Sequence, residues 1–166
     1  DRPRPDQASY IGNNVSFELS AVQSSVLIKL AQDSGVSLYS LLLSSFVVLL
    51  SKWANQTDIV TGSVVANREI EGTGSVVGLF TNTQATRHDV NSAMSCIDFI
   101  HKTHVNVIDA LKNQELPFDV VVDALDLDRS LNMHPVFQVL FCFDKTAQAQ
   151  QSQFQAYPLA DEYQVA

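Results

Sequence analysis

The four histidines are the residues of this sequence best suited to acid–base or metal chemistry, and two of them are closely spaced. His101 and His104 lie three residues apart in a stretch with helical periodicity, so both imidazoles would share one face of a helix. A metal site needs further Cys, His or carboxylate ligands at convergent spacing, and none accompanies this pair. His88 and His134 are isolated in the sequence. We therefore expect no metal site, and surface positions for His101 and His104.

The sequence does not match two other motifs that would indicate nucleotide binding or a serine nucleophile. Residues 72–78 come within one residue of the dinucleotide-binding fingerprint G-x-G-x-x-G, but the third glycine arrives late and a strand-like run follows where a helix should begin. The serine nucleophile motif Gly-x-Ser-x-Gly does not occur. The residues alone thus indicate a globular domain without a self-contained catalytic constellation.

Composition excludes several classes of partner. The 166 residues are 46% hydrophobic and 17% charged, which is typical of a globular fold, and the net charge of −8 disfavours nucleic acid. The acidic excess lies mainly between residues 109 and 128, where a solvated helical face is the ordinary explanation. Cys96 and Cys142 have no short spacing and suggest neither a disulfide framework nor a zinc motif. We expect a reduced, cytoplasmic protein.

Serines mark the starts of two predicted helices. Ser20 can cap a helix over residues 21–33, with Gly35 as its stop, and Ser37 can cap another over residues 38–53. The second is apolar on nearly all sides. It is nevertheless shorter than the about 20 apolar residues of a membrane span, so a helix buried in a core is expected and a membrane is not.

The rest of the chain alternates between strand and helix patterns. Two further helices are predicted, one from a cap at Ser92 to about Asn113 and one over residues 118–125 after Pro117. The predicted strands cover residues 15–19, 58–66, 76–87 with a turn near Asn82, and 136–143, the last as a central strand. The proline-rich residues 1–14 read as a linker. This alternation indicates an α/β protein with layered elements.

Four separated segments resemble motifs of nonribosomal peptide synthetase condensation domains. They are residues 56–68 (Q-T-D-I-V-T-G-S-V-V-A-N-R), 77–87 (V-G-L-F-T-N-T-Q-A-T-R), 113–119 (N-Q-E-L-P-F-D) and 129–138 (R-S-L-N-M-H-P-V-F-Q). Their order and spacing also match the family, and the likeness covers about residues 1–143. Thr81, Asn113 and Val136 depart from the family's usual Val, His and Leu. One such motif would be weak, whereas four in order are specific.

The resemblance implies a two-lobed fold similar to chloramphenicol acetyltransferase, with a tunnel between the lobes. This chain would be the C-terminal lobe, a two-layer mixed sheet with helices, with residues 1–14 as inter-lobe linker and residues 15–166 as a lobe truncated at both ends. The family's catalytic signature, His-His-x-x-x-Asp-Gly, belongs to the other lobe and is absent here. No catalytic residue is therefore expected in this chain, which would supply tunnel wall and carrier docking surface.

The motifs supply the candidate tunnel residues. These are Arg68, Gly78, Phe80, Thr81, Asn82, Thr83, Gln114 and Arg129. Asn82 is the foremost among them, because a turn amide can donate and accept hydrogen bonds from an amide-rich tether. Gly78 is expected to allow close backbone approach in a strand. Arg68, Arg87 and Arg129 are expected to pair with carboxylates or phosphate, with Arg129 as a strut between elements.

The resemblance also implies partners and an activity. The partners would be the N-terminal lobe, donor and acceptor peptidyl carrier domains and an adjacent adenylation domain. The complete domain would form peptide bonds between carrier-bound thioesters. The carriers would deliver 4′-phosphopantetheine, and the lobe itself would bind no cofactor. Residues 130–134 are closer to domains that accept L-configured donors. A noncatalytic carrier-binding module, or a starter or stand-alone acyltransferase of the same fold, remains an alternative.

Overall fold

A computed structural model of the chain describes residues 12–69, 71–127 and 133–144. In chain order its elements are α1 (Ala21–Asp33), α2 (Leu38–Ala54), β1 (Asp58–Val65), a 3₁₀ turn (Thr73–Ser75), β2 (Asn82–Asp89), α3 (Cys96–Lys112) and α4 (Phe118–Ala124). The predicted mixture of helices and strands is confirmed. Arg129 and residues 1–11 lie outside the described residues, so the division into linker and lobe stays a prediction.

The serine caps confirm the first two predicted helices. At α1, the Ser20 side chain accepts the Gln23 N–H at 3.3 Å and the Gln23 side chain accepts the Ser20 N–H at 3.0 Å, which completes a capping box. Gly35, at φ 66°, follows the end of this helix in the left-handed conformation that glycine tolerates. At α2, Ser37 Oγ accepts the Ser40 N–H at 3.1 Å.

The cap predicted for α3 is wrong by one turn. Ser95, not Ser92, accepts the Asp98 N–H at 3.2 Å, because a turn closed by the Met94 N–H and the Asn91 carbonyl at 3.0 Å comes first.

In the described part of the chain no single helix is long and apolar enough to cross a bilayer. Among the described helices, only α1 and α2 taken together have the length and apolar composition of a span, and they are bent by 106° at the break between them.

The sheet contains fewer strand residues than the sequence predicts. β1 and β2 pair antiparallel from Asp58↔Asp89 to Val65↔Asn82. On the other edge of β1, Gly62 donates to the Val139 carbonyl and accepts from the Phe141 N–H, both at 2.9 Å. The predicted central strand over 136–143 is thus reduced to one parallel bridge beside β1 among the described residues.

Two other strand predictions are wrong. Residues 15–19 alternate as predicted but pair with no described strand, and Val15 and Phe17 are 90% and 83% exposed. A strand pattern alone does not form a strand without a neighbour that satisfies its backbone. Residues 76–81 are also outside the sheet, and β2 begins at Asn82, where a turn was predicted.

Helices cover one face of this sheet. Ile59 packs with Leu43 and Val47 of α2 and with Phe99 and Val107 of α3. Because strand side chains alternate, the opposite side of the sheet, here called the outer face, is formed by the next residues along each strand. These are Val60, Gly62 and Val64 of β1 and their register partners Arg87, Ala85 and Thr83 of β2.

Gly62 is the point of closest packing on the outer face. A Cβ at this position would overlap the ring of Phe137, which is only 8% exposed. We expect Gly62→Ala to lower the free energy of unfolding by about 1–3 kcal/mol, the usual cost of overpacking. Urea unfolding measures it, with Gly74→Ala as the matched control because its Cβ would meet nothing within 4 Å. Equal midpoints for both variants would contradict this packing.

Candidate functional site

The side-chain amide of Asn82 ties the start of β2 to the turn between α3 and α4. Its Nδ2 donates to the carbonyls of Gln114 and Leu116 at 2.9 and 2.7 Å. Its Oδ1 accepts the N–H groups of Thr83 and Phe118 at 2.9 and 3.2 Å. Carbonyls just beyond a helix lack intrahelical partners, and here the amide supplies them. Both donors and both acceptor positions of the amide are therefore occupied.

We call Asn82 and its four backbone partners the hub. Next to the hub, three aromatic rings contact one another, with His134 stacked on Phe118 and Phe137 tilted against both. The Phe118 centroid lies 5.8 Å from that of Phe137 and 5.5 Å from that of His134, and the His134 and Phe137 centroids are 4.2 Å apart. Phe137 in turn covers Gly62. Because these residues come from three of the four motif segments and Asn82 from the other, all four segments meet in one region.

Arg68 holds the loop between β1 and β2. Its guanidinium donates to the carbonyls of Thr73 at 2.6 Å, Val76 at 2.9 Å and Gly78 at 2.8 Å. It also lies 4.4 Å from the centre of the Phe80 ring, a cation–π distance. A guanidinium has five N–H donors in one plane, so it can bind three carbonyls at once more readily than a lysine ammonium. We call the loop over residues 71–81, held in this way, the clamped loop.

The contacts of Arg68 and the position of Gly78 contradict two predictions. Arg68 binds carbonyls of its own chain, whereas a carboxylate or phosphate partner was predicted. Gly78 lies in the exposed clamped loop, not in a strand, and a Cβ there would approach the Phe80 ring at 3.3 Å. Arg87 does pair with a carboxylate, because its guanidinium donates to both oxygens of Asp58 at 2.8 and 2.7 Å.

The candidate residues divide into two groups. Asn82, Thr83 and Gln114 meet in the hub, and the other group lies in or around the clamped loop. That group is Arg68, Gly78, Phe80 and the exposed Thr81. Arg129 lies outside the described residues. Contact of Asn82 with a tether stays a prediction, and the hub leaves its amide no free hydrogen-bonding position.

The stacked aromatic residues were missed as a group, because nothing in the spacing of Phe118 and His134 reveals ring contact.

The histidines are partly where the sequence predicts them. His101 is exposed as expected. His104 is half-buried, so its predicted surface position is wrong: its Nδ1 lies 3.0 Å from Ser40 Oγ, which tethers α3 to α2. His88 is 1% exposed, and its Nε2 lies 3.2 Å from Thr61 Oγ1.

Burial, with a smaller contribution from Lys102, lowers the pKa of His88 from 6.5 to about 4. Between these values the unfolded chain binds the extra proton, so stability falls as the pH falls from 6.5 towards 4. We expect the titration of His88 to lower the free energy of unfolding by about 2 kcal/mol when the pH falls from 7.5 to 5. Urea unfolding at both pH values should show a smaller loss for His88→Leu than for wild type. His101→Gln is the exposed control, and an undiminished loss in His88→Leu would refute this origin.

The fold is therefore a mixed α/β structure whose four motif segments meet around Asn82, Phe118 and Gly62. A family model described as "Condensation domain" matches residues 1–165, and the chain belongs to that family. The predicted family is thereby confirmed.

Curated relatives are large synthetases. The chain is 36% identical over 141 residues to bacitracin synthase 2 of Bacillus licheniformis, which covers 85% of this chain and 5% of that protein. It is 36% identical over 148 residues to tyrocidine synthase 3 of Brevibacillus parabrevis, covering 89% of this chain and 2% of that protein. The chain thus spans only a small part of the relatives it matches.

Solved structures agree on the fold. A four-domain nonribosomal peptide synthetase, crystallised with AMP and glycine, superposes with a TM-score of 0.84 at 30% identity, over 87% of this chain and 11% of that one. The X-domain from teicoplanin biosynthesis superposes with a TM-score of 0.78 at 25% identity, over 84% of this chain and 31% of that one. The predicted chloramphenicol-acetyltransferase-like fold class is confirmed.

Proposed function

We propose that this chain is the C-terminal lobe of a condensation domain that joins carrier-bound aminoacyl or peptidyl thioesters through an amide bond. The supporting observation is the meeting of all four motif segments around Asn82, Phe118 and Gly62 in a member of the condensation family. Segments so distant in sequence gain a common surface only in the folded lobe. A surface built from all the family motifs is therefore the part of the chain to which we assign the contribution to condensation.

The proposed task of the lobe is to form one wall of the substrate tunnel. The outer face suits it, because apart from Arg87 its strand side chains are small or aliphatic, and Val64 among them is exposed. An acyl thioester on a 4′-phosphopantetheine arm is long and uncharged near its reacting end. Donor and acceptor carrier domains would deliver such arms, an adjacent adenylation domain would supply the amino acid, and the N-terminal lobe would provide the catalytic histidines.

The clamped loop is the proposed contact with that N-terminal lobe. Val77 and Leu79 are 101% and 90% exposed, although Arg68 fixes the loop that carries them. Exposed apolar side chains on an ordered loop are typical of an interaction surface. The rigid backbone would lower the entropy lost when the two lobes associate.

Separate preparations of the two lobes test this contact and the function together. Burying a leucine contributes about 1.5–3 kcal/mol, so Leu79→Ser should weaken association of the lobes by about tenfold or more in calorimetry. The mixed lobes should yield amide product by mass spectrometry from loaded carriers. Val22→Ser, which removes a 74% exposed side chain from α1, is the control. Equal affinity for both variants would exclude the loop as the contact.

A second candidate is a noncatalytic interaction module. The favouring observation is the likeness to the teicoplanin X-domain, a protein that has been solved in complex with OxyB. The upstream sequence separates the two functions: an intact His-His-x-x-x-Asp-Gly supports catalysis, and a degenerate one supports the module. A starter or stand-alone acyltransferase would instead be identified by its downstream neighbour.

A further inference from the structure

His134 is an exposed histidine whose ring is nevertheless held in place. Its Nδ1 accepts the backbone N–H groups of Val136 and Phe137, both at 3.4 Å. Its ring stacks on Phe118 at an interplanar angle of 23° and against Phe137 at 30°. Acceptance at Nδ1 assigns the proton of the neutral ring to Nε2. The fold therefore fixes both the orientation and the tautomer of this imidazole.

The Nε2–H group of His134 is a hydrogen-bond donor that has no acceptor among the described residues. No described residue pairs with Nε2, and the side chain is exposed. Phe137, on which the ring stacks, covers Gly62 on the outer face. A fixed donor is consequently presented beside the surface where the four motif segments meet.

The surroundings favour a neutral acceptor over an anion. Asp119 lies on α4, the helix that begins with the stacked Phe118, and the whole chain has a net charge of −8. Anionic ligands would be repelled, whereas an amide or thioester carbonyl is neutral and carries a hydrogen-bonding oxygen. The partly exposed ring of Phe118 offers apolar contact to the carbon atoms beside such a carbonyl.

We propose that His134 Nε2–H donates a hydrogen bond to a neutral carbonyl of the carrier-delivered arm and so positions the substrate against the outer face. The inference rests on the proposed function and makes it more specific. The acceptor belongs to one of two sources, an amide of the pantetheine chain or the thioester itself. His134 is a positioning residue and takes no part in proton transfer at the reacting atoms.

Nitrogen-15 NMR of the imidazoles tests the hydrogen bond directly in the 166-residue chain. Pantetheine offers amide carbonyls without a thioester, and ethyl thioacetate offers a thioester without an amide. Each is titrated against labelled protein, with His134→Phe used to assign the signal. We expect a shift of the His134 Nε2 signal with one or both probes, and the responding probe identifies the source. No shift with either probe, or a larger shift with inorganic phosphate, overturns the proposal.

Two variants separate donation from packing. His134→Phe keeps an aromatic ring against Phe118 and Phe137 but removes the donor, so probe binding should weaken about threefold to tenfold, as expected for one hydrogen bond. His134→Gln places an N–H near the position of Nε2 and should recover part of the affinity. Equal affinity of His134→Phe and wild type overturns the proposal, and thermal unfolding verifies that each variant is folded.

The same variants in the complete two-lobed domain distinguish this inference from the proposed function. His134→Phe should raise KM for the carrier-bound substrate more than it lowers kcat, because ground-state positioning is lost. If the complete domain makes no amide while His134 still binds pantetheine, the proposed function fails and the binding site stands. If the domain is active and His134→Phe has wild-type KM and probe affinity, the inference alone fails.

Discussion

This chain, incubated alone with loaded donor and acceptor carrier proteins, should form no amide product above the uncatalysed background. Condensation requires removal of a proton from the attacking amine and stabilisation of the tetrahedral intermediate. General-base catalysis contributes about 10²–10⁴-fold and oxyanion stabilisation about 10²–10³-fold, so on the proposed division of roles a chain without the His-His-x-x-x-Asp-Gly signature should lose essentially all of the rate.

The placement of the histidines supports this expectation. His88 is buried with a pKa of about 4, and His104 is tied to Ser40. His101 is exposed on α3 and His134 is stacked on Phe118. The sequence contains no His-His-x-x-x-Asp-Gly segment, and the hydrogen bonds of His88, His104 and His134 join them to different residues.

Mass spectrometry of the carrier-bound products measures this outcome. Three reactions are compared: this lobe alone, the N-terminal lobe alone, and both together. Product should form only in the mixture, and it should disappear when the second histidine of the upstream motif is changed to alanine. Turnover by this lobe alone would show that a catalytic group resides in it and would overturn the assignment of roles to the two lobes.

Local chemistry explains which parts of the fold were predictable. Helix starts depend on a side chain three residues from its partner, so Ser20 and Ser37 could be recognised directly. At α3 two serines competed, and the choice of Ser95 depends on the preceding turn, which the pattern does not show. The buried character of α2 followed from its near-continuous apolar surface.

Long-range contacts explain most of the errors. Residues 76–81 have a strand-like pattern, but the carbonyls of Val76 and Gly78 bond to Arg68, which removes them from the sheet ladder. His104 has an unremarkable sequence context and is drawn inward by Ser40, 64 residues away. The motifs identified Asn82 as important, yet only the fold shows its partners, most of which lie more than 30 residues away.

Asn82→Ala should destabilise the lobe by about 3 kcal/mol, because it strands several backbone groups at once. The carbonyls of Gln114 and Leu116 and the N–H of Phe118 all lose their partner, and water can reach only some of them. The loss should loosen the link between β2 and the α3–α4 turn. Urea unfolding of the chain gives the free energy, and the thermal midpoint of the complete domain provides the second measurement.

Two substitutions provide controls for Asn82→Ala. Asn82→Asp keeps the acceptors for Thr83 and Phe118 but loses both donors, so it should be intermediate in stability. Thr81→Ala, at the exposed neighbouring position, should stay within about 0.5 kcal/mol of wild type. Single-turnover condensation, measured well below the unfolding temperature, separates the structural role from a tunnel contact. If Asn82→Ala has a wild-type unfolding midpoint but slow condensation, the amide acts on the substrate and the hub contributes little to stability. If both fall together and Asn82→Asp lies between, the amide serves to hold the motif segments in register.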